Sequence, residues 1–204
     1  YQQKVSVIPI GIADFIRDAD TPPFDPGQIL FVGRLVPYKG LDVLLRALAA
    51  MQAPCHLVLV GTGPQERSLR QLSVEVGVED RVDFRGAVDE ETLRHLFQTS
   101  SIFCLPSVNR LEAFGVVLLE AMRAACPAVS TAIPGSGVPW VNAAGCNVRP
   151  GDHLELACTL DRILSNPGLR YSLSREARQR FERHFLRATM SEQFLSLYRT
   201  LVPG

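Results

Sequence analysis

Apolar residues fall along this chain in two kinds of run. The first kind is short and continuous: Ile29-Leu-Phe-Val-Gly33, His56-Leu-Val-Leu-Val-Gly61, Ser101-Ile-Phe-Cys-Leu105 and Pro127-Ala-Val-Ser130. A strand that is apolar throughout is covered on both faces, so each run reads as a buried strand. Arg81-Val-Asp-Phe-Arg85 reads as a shorter strand, and residues 5–12 as one that leads into the chain. The second kind has helical spacing, as in Leu41, Leu44, Leu45 and Leu48 within 39–51. A helix over 64–76 has Pro64 in its first turn and Gly77 at its end. A helix over 89–98 starts on Asp89 as N-cap, with Glu90 and Glu91 in its first turn. Residues 115–125 form an apolar helix, and 152–164, 169–183 and 188–201 complete the set. Strands alternating with helices through short loops predict an α/β fold, a Rossmann-like doubly wound parallel sheet with C-terminal helices. The expected division is a lead-in strand and linker over 1–27, with Pro22, Pro23 and Pro26 in the loop 18–27. The sheet domain follows over 28–186, then a final helix within 187–204.

Composition narrows the function. The 204 residues are 47% hydrophobic and 21% charged, with 21 basic side chains balancing 21 acidic ones. A neutral chain has no global field to draw nucleic acid or an anionic membrane, so any anion must be held by local groups. The five cysteines are odd in number and form no CxxC pair; reduced thiols and a cytoplasmic setting are expected. No run approaches the roughly 18 apolar residues of a membrane span, and no secretory signal is present. A start at Tyr1 suggests a piece of a longer protein.

Ligands of doubly wound sheets sit at the carboxyl ends of the strands, so the loops there carry the candidate chemistry. Gly33-Arg34-Leu-Val-Pro-Tyr-Lys39-Gly40 brings two cations to the start of a helix. Arg supplies a planar fork, Lys a point charge and the helix N-terminus its positive dipole, a set suited to a diphosphate. Two solvated loop cations are the plainer alternative. Gly61-Thr-Gly-Pro64 permits close backbone approach by a ligand or is a tight turn; it is not the GxGxxG dinucleotide fingerprint. In Arg110-Leu-Glu112-Ala-Phe114-Gly115-Val116-Val-Leu-Leu-Glu120, a carboxylate sits inside an apolar helix face, which is costly unless it meets a partner or a ligand. Glu112, eight residues earlier, falls on an adjoining face, so both carboxylates can address one cleft. A carboxylate there can grip a vicinal diol such as a ribose.

Gly33-Arg34…Lys39-Gly40, Gly61-Thr-Gly-Pro64 and Glu112-x-Phe114-Gly115-x4-Glu120 stand in the order of one group. They resemble the C-terminal domain of glycosyltransferase family four, retaining enzymes of the two-Rossmann-domain (GT-B) type, and the resemblance runs from about Val5 to the end. It implies a hexosyltransferase whose donor is a GDP- or UDP-sugar and whose acceptor is a glycan or lipid-linked glycan in polysaccharide assembly. Arg34 and Lys39 would bind the donor diphosphate and, with Glu112, form the catalytic set. Glu120 would hold the ribose, and Glu112 would lie beside the transferred sugar. Backbone groups around Phe114, Gly115 and Val116 would reach sugar and phosphate, with Gly33 and Gly61 close by. Arg85, Gly86 and Val88 would line the base. The resemblance further implies no cofactor and no metal, an acceptor-binding N-terminal domain absent from this chain, and a final helix that packs on it. Inactivity of this half alone and a peripheral position at the inner membrane face are further expectations.

Two departures stand out. Ile10-Gly-Ile-Ala13 replaces the family's Asn-Gly-Val-Asp, and Gly137-Val-Pro-Trp140 replaces Gly-Ile-Pro-Glu. Asp18-Ala-Asp20 is a nominal DxD pair, but it lies in the linker. His56, His95, His153 and His184 lack metal-ligand spacing. Arg175, Arg178, Arg180, Arg183 and Arg187 read as a solvated helix face or as a contact to a lipid-linked acceptor, and Trp140 as packing, an interface residue or a donor-site wall. A non-catalytic nucleotide-binding or interaction module, and a dinucleotide domain of dehydrogenase type, are the competing readings.

Overall fold

The computed structural model of the chain describes residues 5–14 and 25–201. Within these residues six parallel strands form one sheet in the order β3-β2-β1-β4-β5-β6. They are β1 (Asp25–Val32), β2 (His56–Val60), β3 (Val82–Gly86), β4 (Ser100–Leu105), β5 (Ala128–Thr131) and β6 (Cys146–Val148). The central register pairs Ile29 with Leu57 on one side and with Ile102 on the other. Every residue of β4 is buried, as its unbroken apolar character requires of a strand covered on both faces. Strand order reverses between β1 and β4, which opens a crevice at their carboxyl ends.

Among the described residues, eight α-helices connect and cover the strands: α1 (Leu41–Ala50), α2 (Glu66–Glu75), α3 (Glu90–Thr99), α4 (Val116–Arg123), α5 (Val138–Val141), α6 (His153–Leu164), α7 (Pro167–His184) and α8 (Arg187–Leu201). The leucines of α1 that set its period are all buried. Asp89 caps α3, its side chain accepting from the Thr92 N–H, and Asp152 caps α6 in the same way. α1 packs against α2 and α6, while α7 reaches from α6 across to α4.

The structure departs from the sequence pattern in four places. Residues 5–12 form no strand; Ile12 makes one isolated bridge to Leu186, and Val5, Val7 and Ile10 are exposed. An apolar stretch needs a sheet edge to pair with before it becomes a strand, and the bridge this one makes is to Leu186, which belongs to no strand. β1 begins at Asp25, earlier than the pattern suggests, and its register slips between Asp25 and Ile29. That irregularity accommodates Pro26-Gly27, since proline cannot donate to a regular ladder. α5 and β6, of four and three residues, are too short to leave a periodic signal. Loop residues 18–24, with Asp18 and Asp20, lie outside the described residues.

Residues near the two ends are clipped together. Ile12 N–H donates to the Phe185 carbonyl and Arg187 N–H to that of Ile12, each at 2.9 Å. Asp14 adds a 2.6 Å ion pair to Arg178. α8 continues from this clip with no buried residue of its own.

Candidate functional site

The crevice at the β1/β4 reversal is a cleft of about 540 Å³, within the range of small-ligand sites. β1 ends in Val32 and Gly33 on one wall, and the 3-10 turn Pro37–Lys39 carries Lys39 over the same rim. Opposite, the loop after β4 supplies Glu112, Ala113, Phe114 and Gly115, and the first turns of α4 supply Val116, Val117 and Glu120. Leu93 of α3 closes the side. The predicted pair of carboxylates therefore does address one cleft.

Lys39 is not a solvated loop cation. It is 8% exposed and Glu112 7% exposed, and Lys39 Nζ lies 2.5 Å from Glu112 Oε2. Ser107 Oγ donates to the same oxygen at 2.9 Å. Ser136 Oγ donates to the Glu112 carbonyl at 2.5 Å, and Gly137 N–H to that of Ala113 at 2.7 Å. The loop is thereby fixed by both side chain and main chain. Charge-assisted bonds of this kind are short and strong, and they offset the cost of taking a charged pair out of water.

Glu120 is in a different state. Its carboxylate has no hydrogen-bond or ion-pair partner among the described residues, although it lies partly buried on the cleft wall. Burial pushes its carboxyl above the ordinary range, the Arg123 guanidinium pulls it back down, and Glu90 pushes it up again. A half-desolvated carboxylate facing a cleft is ready to accept hydroxyl donors.

The cleft gathers Gly33, Lys39, Glu112, Phe114, Gly115, Val116 and Glu120. Arg34, Gly61, Arg85, Gly86 and Val88 lie outside its lining. Arg34 is exposed on the rim loop. The glycine at 61 answers to the neighbouring loop: its φ is +129°, and a Cβ there would sit 2.0 Å from the Gly33 carbonyl oxygen. Gly61 N–H in turn donates to the Gly86 carbonyl at 2.7 Å. Gly33, Gly61 and Gly86 therefore form a continuous ledge along the carboxyl ends of β1, β2 and β3. The Arg85 side chain turns away from this ledge to bond Asp83, over a hollow shared with Thr92 and His95.

Ser107 and Leu93 stand in none of the motifs that the sequence analysis quotes, whereas Thr131 and Ser136 fall in the stretch 131–140 that also fits the resemblance. Ser107 follows the carboxyl end of β4, and that position is the signal that points to it. Trp140 lies outside the cleft lining, half exposed, edge-on to Phe185 at 5.6 Å and under the Arg180 guanidinium at 5.3 Å. The basic run is not uniformly solvated: Arg178 pairs with Asp14 and Glu182, and Arg180 donates to the Val141 carbonyl. Cys104 and Cys126 are buried, and burial pushes both thiols up. Among the described residues no group of three His, Cys, Asp or Glu could hold a metal, and no helix is long and apolar enough to cross a membrane.

A doubly wound parallel sheet with a charged crevice at its reversal point is the architecture of Rossmann-like nucleotide-binding domains. Residues 13–180 match the family described as Glycosyl transferases group 1, and the chain belongs to that family. It is 32% identical over 212 residues to O-antigen chain mannosyltransferase C of Escherichia coli, covering 99% of this chain and 56% of that protein. The sucrose-phosphate synthase of Thermosynechococcus elongatus superposes with a TM-score of 0.82 at 31% identity, over 95% of this chain and 52% of that one. The Anabaena protein HepE in complex with UDP-glucose shares the fold, with a TM-score of 0.77 at 24% identity over 85% of this chain and 48% of that one. The chain spans about half the length of the curated relatives it matches.

Proposed function

We propose that this chain is the donor-binding half of a retaining hexosyltransferase of glycosyltransferase family four. It would take a hexose from a GDP- or UDP-sugar to a glycan or lipid-linked acceptor in polysaccharide assembly. The observation that carries this reading is the convergence of Lys39, Glu112 and Glu120 on one cleft at the sheet's reversal point. The mannosyltransferase relative and the UDP-glucose complex of a fold neighbour support it.

In this reading Glu120 accepts the two ribose hydroxyls, and Arg34 reaches inward from the rim to join Lys39 on the diphosphate. As the bond from the anomeric carbon to the diphosphate oxygen breaks, its electron pair stays on the diphosphate. Arg34 and Lys39 stabilise that charge, an electrostatic role that asks for no metal. The acceptor oxygen bonds to the anomeric carbon, and its proton passes to the departing diphosphate oxygen. Glu112 lies beside the sugar as positive charge develops there. Phe114, Gly115 and Val116 bring backbone groups to sugar and phosphate, while the ledge of Gly61, Gly86 and Val88 extends toward the base. The acceptor site belongs to an N-terminal domain outside this chain, and a cytoplasmic protein peripheral to the inner membrane face fits a lipid-linked acceptor. A non-catalytic nucleotide-binding module is the second reading. It draws on the Lys39–Glu112 pair, in which the cleft's cation is already neutralised.

Titration calorimetry of the chain with UDP, GDP, ADP and NAD, beside Glu120→Ala, tests the reading. One nucleoside diphosphate should bind. The variant should weaken it about 10- to 1000-fold through two lost bonds to a charged group. Unchanged affinity removes Glu120 from the site, and selective binding of NAD overturns the donor reading.

A further inference from the structure

Glu112 offers its two oxygens unequally. Oε2 accepts from both Lys39 Nζ at 2.5 Å and Ser107 Oγ at 2.9 Å. Oε1 accepts from no described residue, yet it is not among the buried atoms left without a partner, so it is open to the cleft that Glu112 lines. Ser107 itself is fully buried, and its carbonyl accepts from Thr131 Oγ1, another buried group. Thr131, at the end of β5, thus holds the backbone of Ser107, and the Ser107 hydroxyl holds the carboxylate.

We infer that Ser107, braced by Thr131, is a positioning residue that holds Glu112 with one oxygen committed and the other presented to the hexose of the donor. Lys39 alone could bridge both oxygens, because an ammonium is a point charge with three rotatable donors. The directional hydroxyl at Oε2 is what fixes the plane of the carboxylate. Ser107 also stays in place if Lys39 shifts toward a diphosphate, so Glu112 keeps one bond while its cation is shared. The consequence is selectivity for the sugar-bearing nucleotide over the bare one, set by a residue that touches neither. This rests on the donor-binding reading above.

The test is the ratio of two affinities, UDP-glucose to UDP and GDP-mannose to GDP, measured by calorimetry on the chain and on Ser107→Ala, Ser107→Thr and Thr131→Val. In Ser107→Ala the bare nucleotide should bind within about threefold of the parent. The ratio should shift about tenfold or more against the sugar-bearing form, the scale of one bond to a charged group. Ser107→Thr keeps the hydroxyl and should restore the ratio, and the near-isosteric Thr131→Val should shift it part of the way. A loop that is merely loosened would weaken both ligands together and leave the ratio unchanged, which overturns the inference. If neither nucleotide binds, the donor reading is what fails. The positioning of Glu112 by Ser107 is then decided on crystals of the ligand-free Ser107→Ala chain: Glu112 turned so that Lys39 bridges both oxygens supports it, and an unmoved carboxylate overturns it.

Discussion

Lys39 and Glu112 each keep only 10% of their side-chain surface exposed, so neither charge can fall back on solvent. Lys39→Met should lower stability by about 3 kcal/mol, read by urea denaturation, because it strands a buried carboxylate. Replacing both partners with apolar residues should recover most of that loss, because no unpaired charge then remains. Glu120 predicts a pH effect of the opposite kind. Its carboxyl is raised by burial, then lowered by Arg123 and raised by Glu90. Between the ordinary carboxylate pKa and the raised one, the folded chain binds more protons than the unfolded chain, so stability falls as pH rises through that window. Glu120→Gln should flatten this slope. Hydroxyl donors favour the ionised form, so nucleotide binding in mildly acidic buffer should release a proton, seen as buffer-dependent binding heat that the same variant abolishes. Glu120 was legible in the sequence because a carboxylate in an apolar helix face is an anomaly. The Lys39–Glu112 pair was not, because the two residues are 73 positions apart and only the folding of β1 beside β4 joins them.

The elements themselves were largely readable. Continuous apolar runs gave four of the six strands and a weaker run gave β3, while leucine spacing and capping residues marked the longer helices. The lead-in strand failed because strand formation depends on a partner edge, which no local pattern encodes. The ledge glycines make a further prediction at this scale. Gly61→Ala should cost about 2 kcal/mol or more in thermal or urea unfolding, because its backbone is strained for any L side chain and the Gly33 carbonyl occupies the Cβ position. Gly86 has a φ of +64° but nothing within 4 Å of a Cβ, so Gly86→Ala should cost only the left-handed penalty, about 1 kcal/mol. If Gly86 borders the base, the same variant should still weaken nucleotide binding, which calorimetry would separate from its small effect on stability.

At the scale of the molecule, α8 is the element least committed to the fold. None of its residues is buried, and Phe194, Leu195, Tyr198 and Leu201 are exposed on it. Phe194→Asp should therefore change the stability of the chain by no more than about 0.5 kcal/mol. The amides of α8 should exchange with solvent far faster than those of α4, since local opening costs little where few apolar contacts are broken. An apolar face of this kind suits the N-terminal domain proposed above. The sequence alone determined the alternation of strand and helix, and with it a doubly wound sheet. It also placed the cationic and acidic loops at the carboxyl ends of strands. These are consequences of local periodicity and connection length, which each segment carries within itself. Tertiary structure decided the rest: that Lys39 is neutralised by Glu112, that Ser107 and Thr131 brace it, and that Arg85 turns away from the crevice. It also decided that Gly61 serves the neighbouring loop. Each of these depends on which distant segments the sheet sets side by side, and the energy of a buried charge or a close backbone contact exists only once they are there.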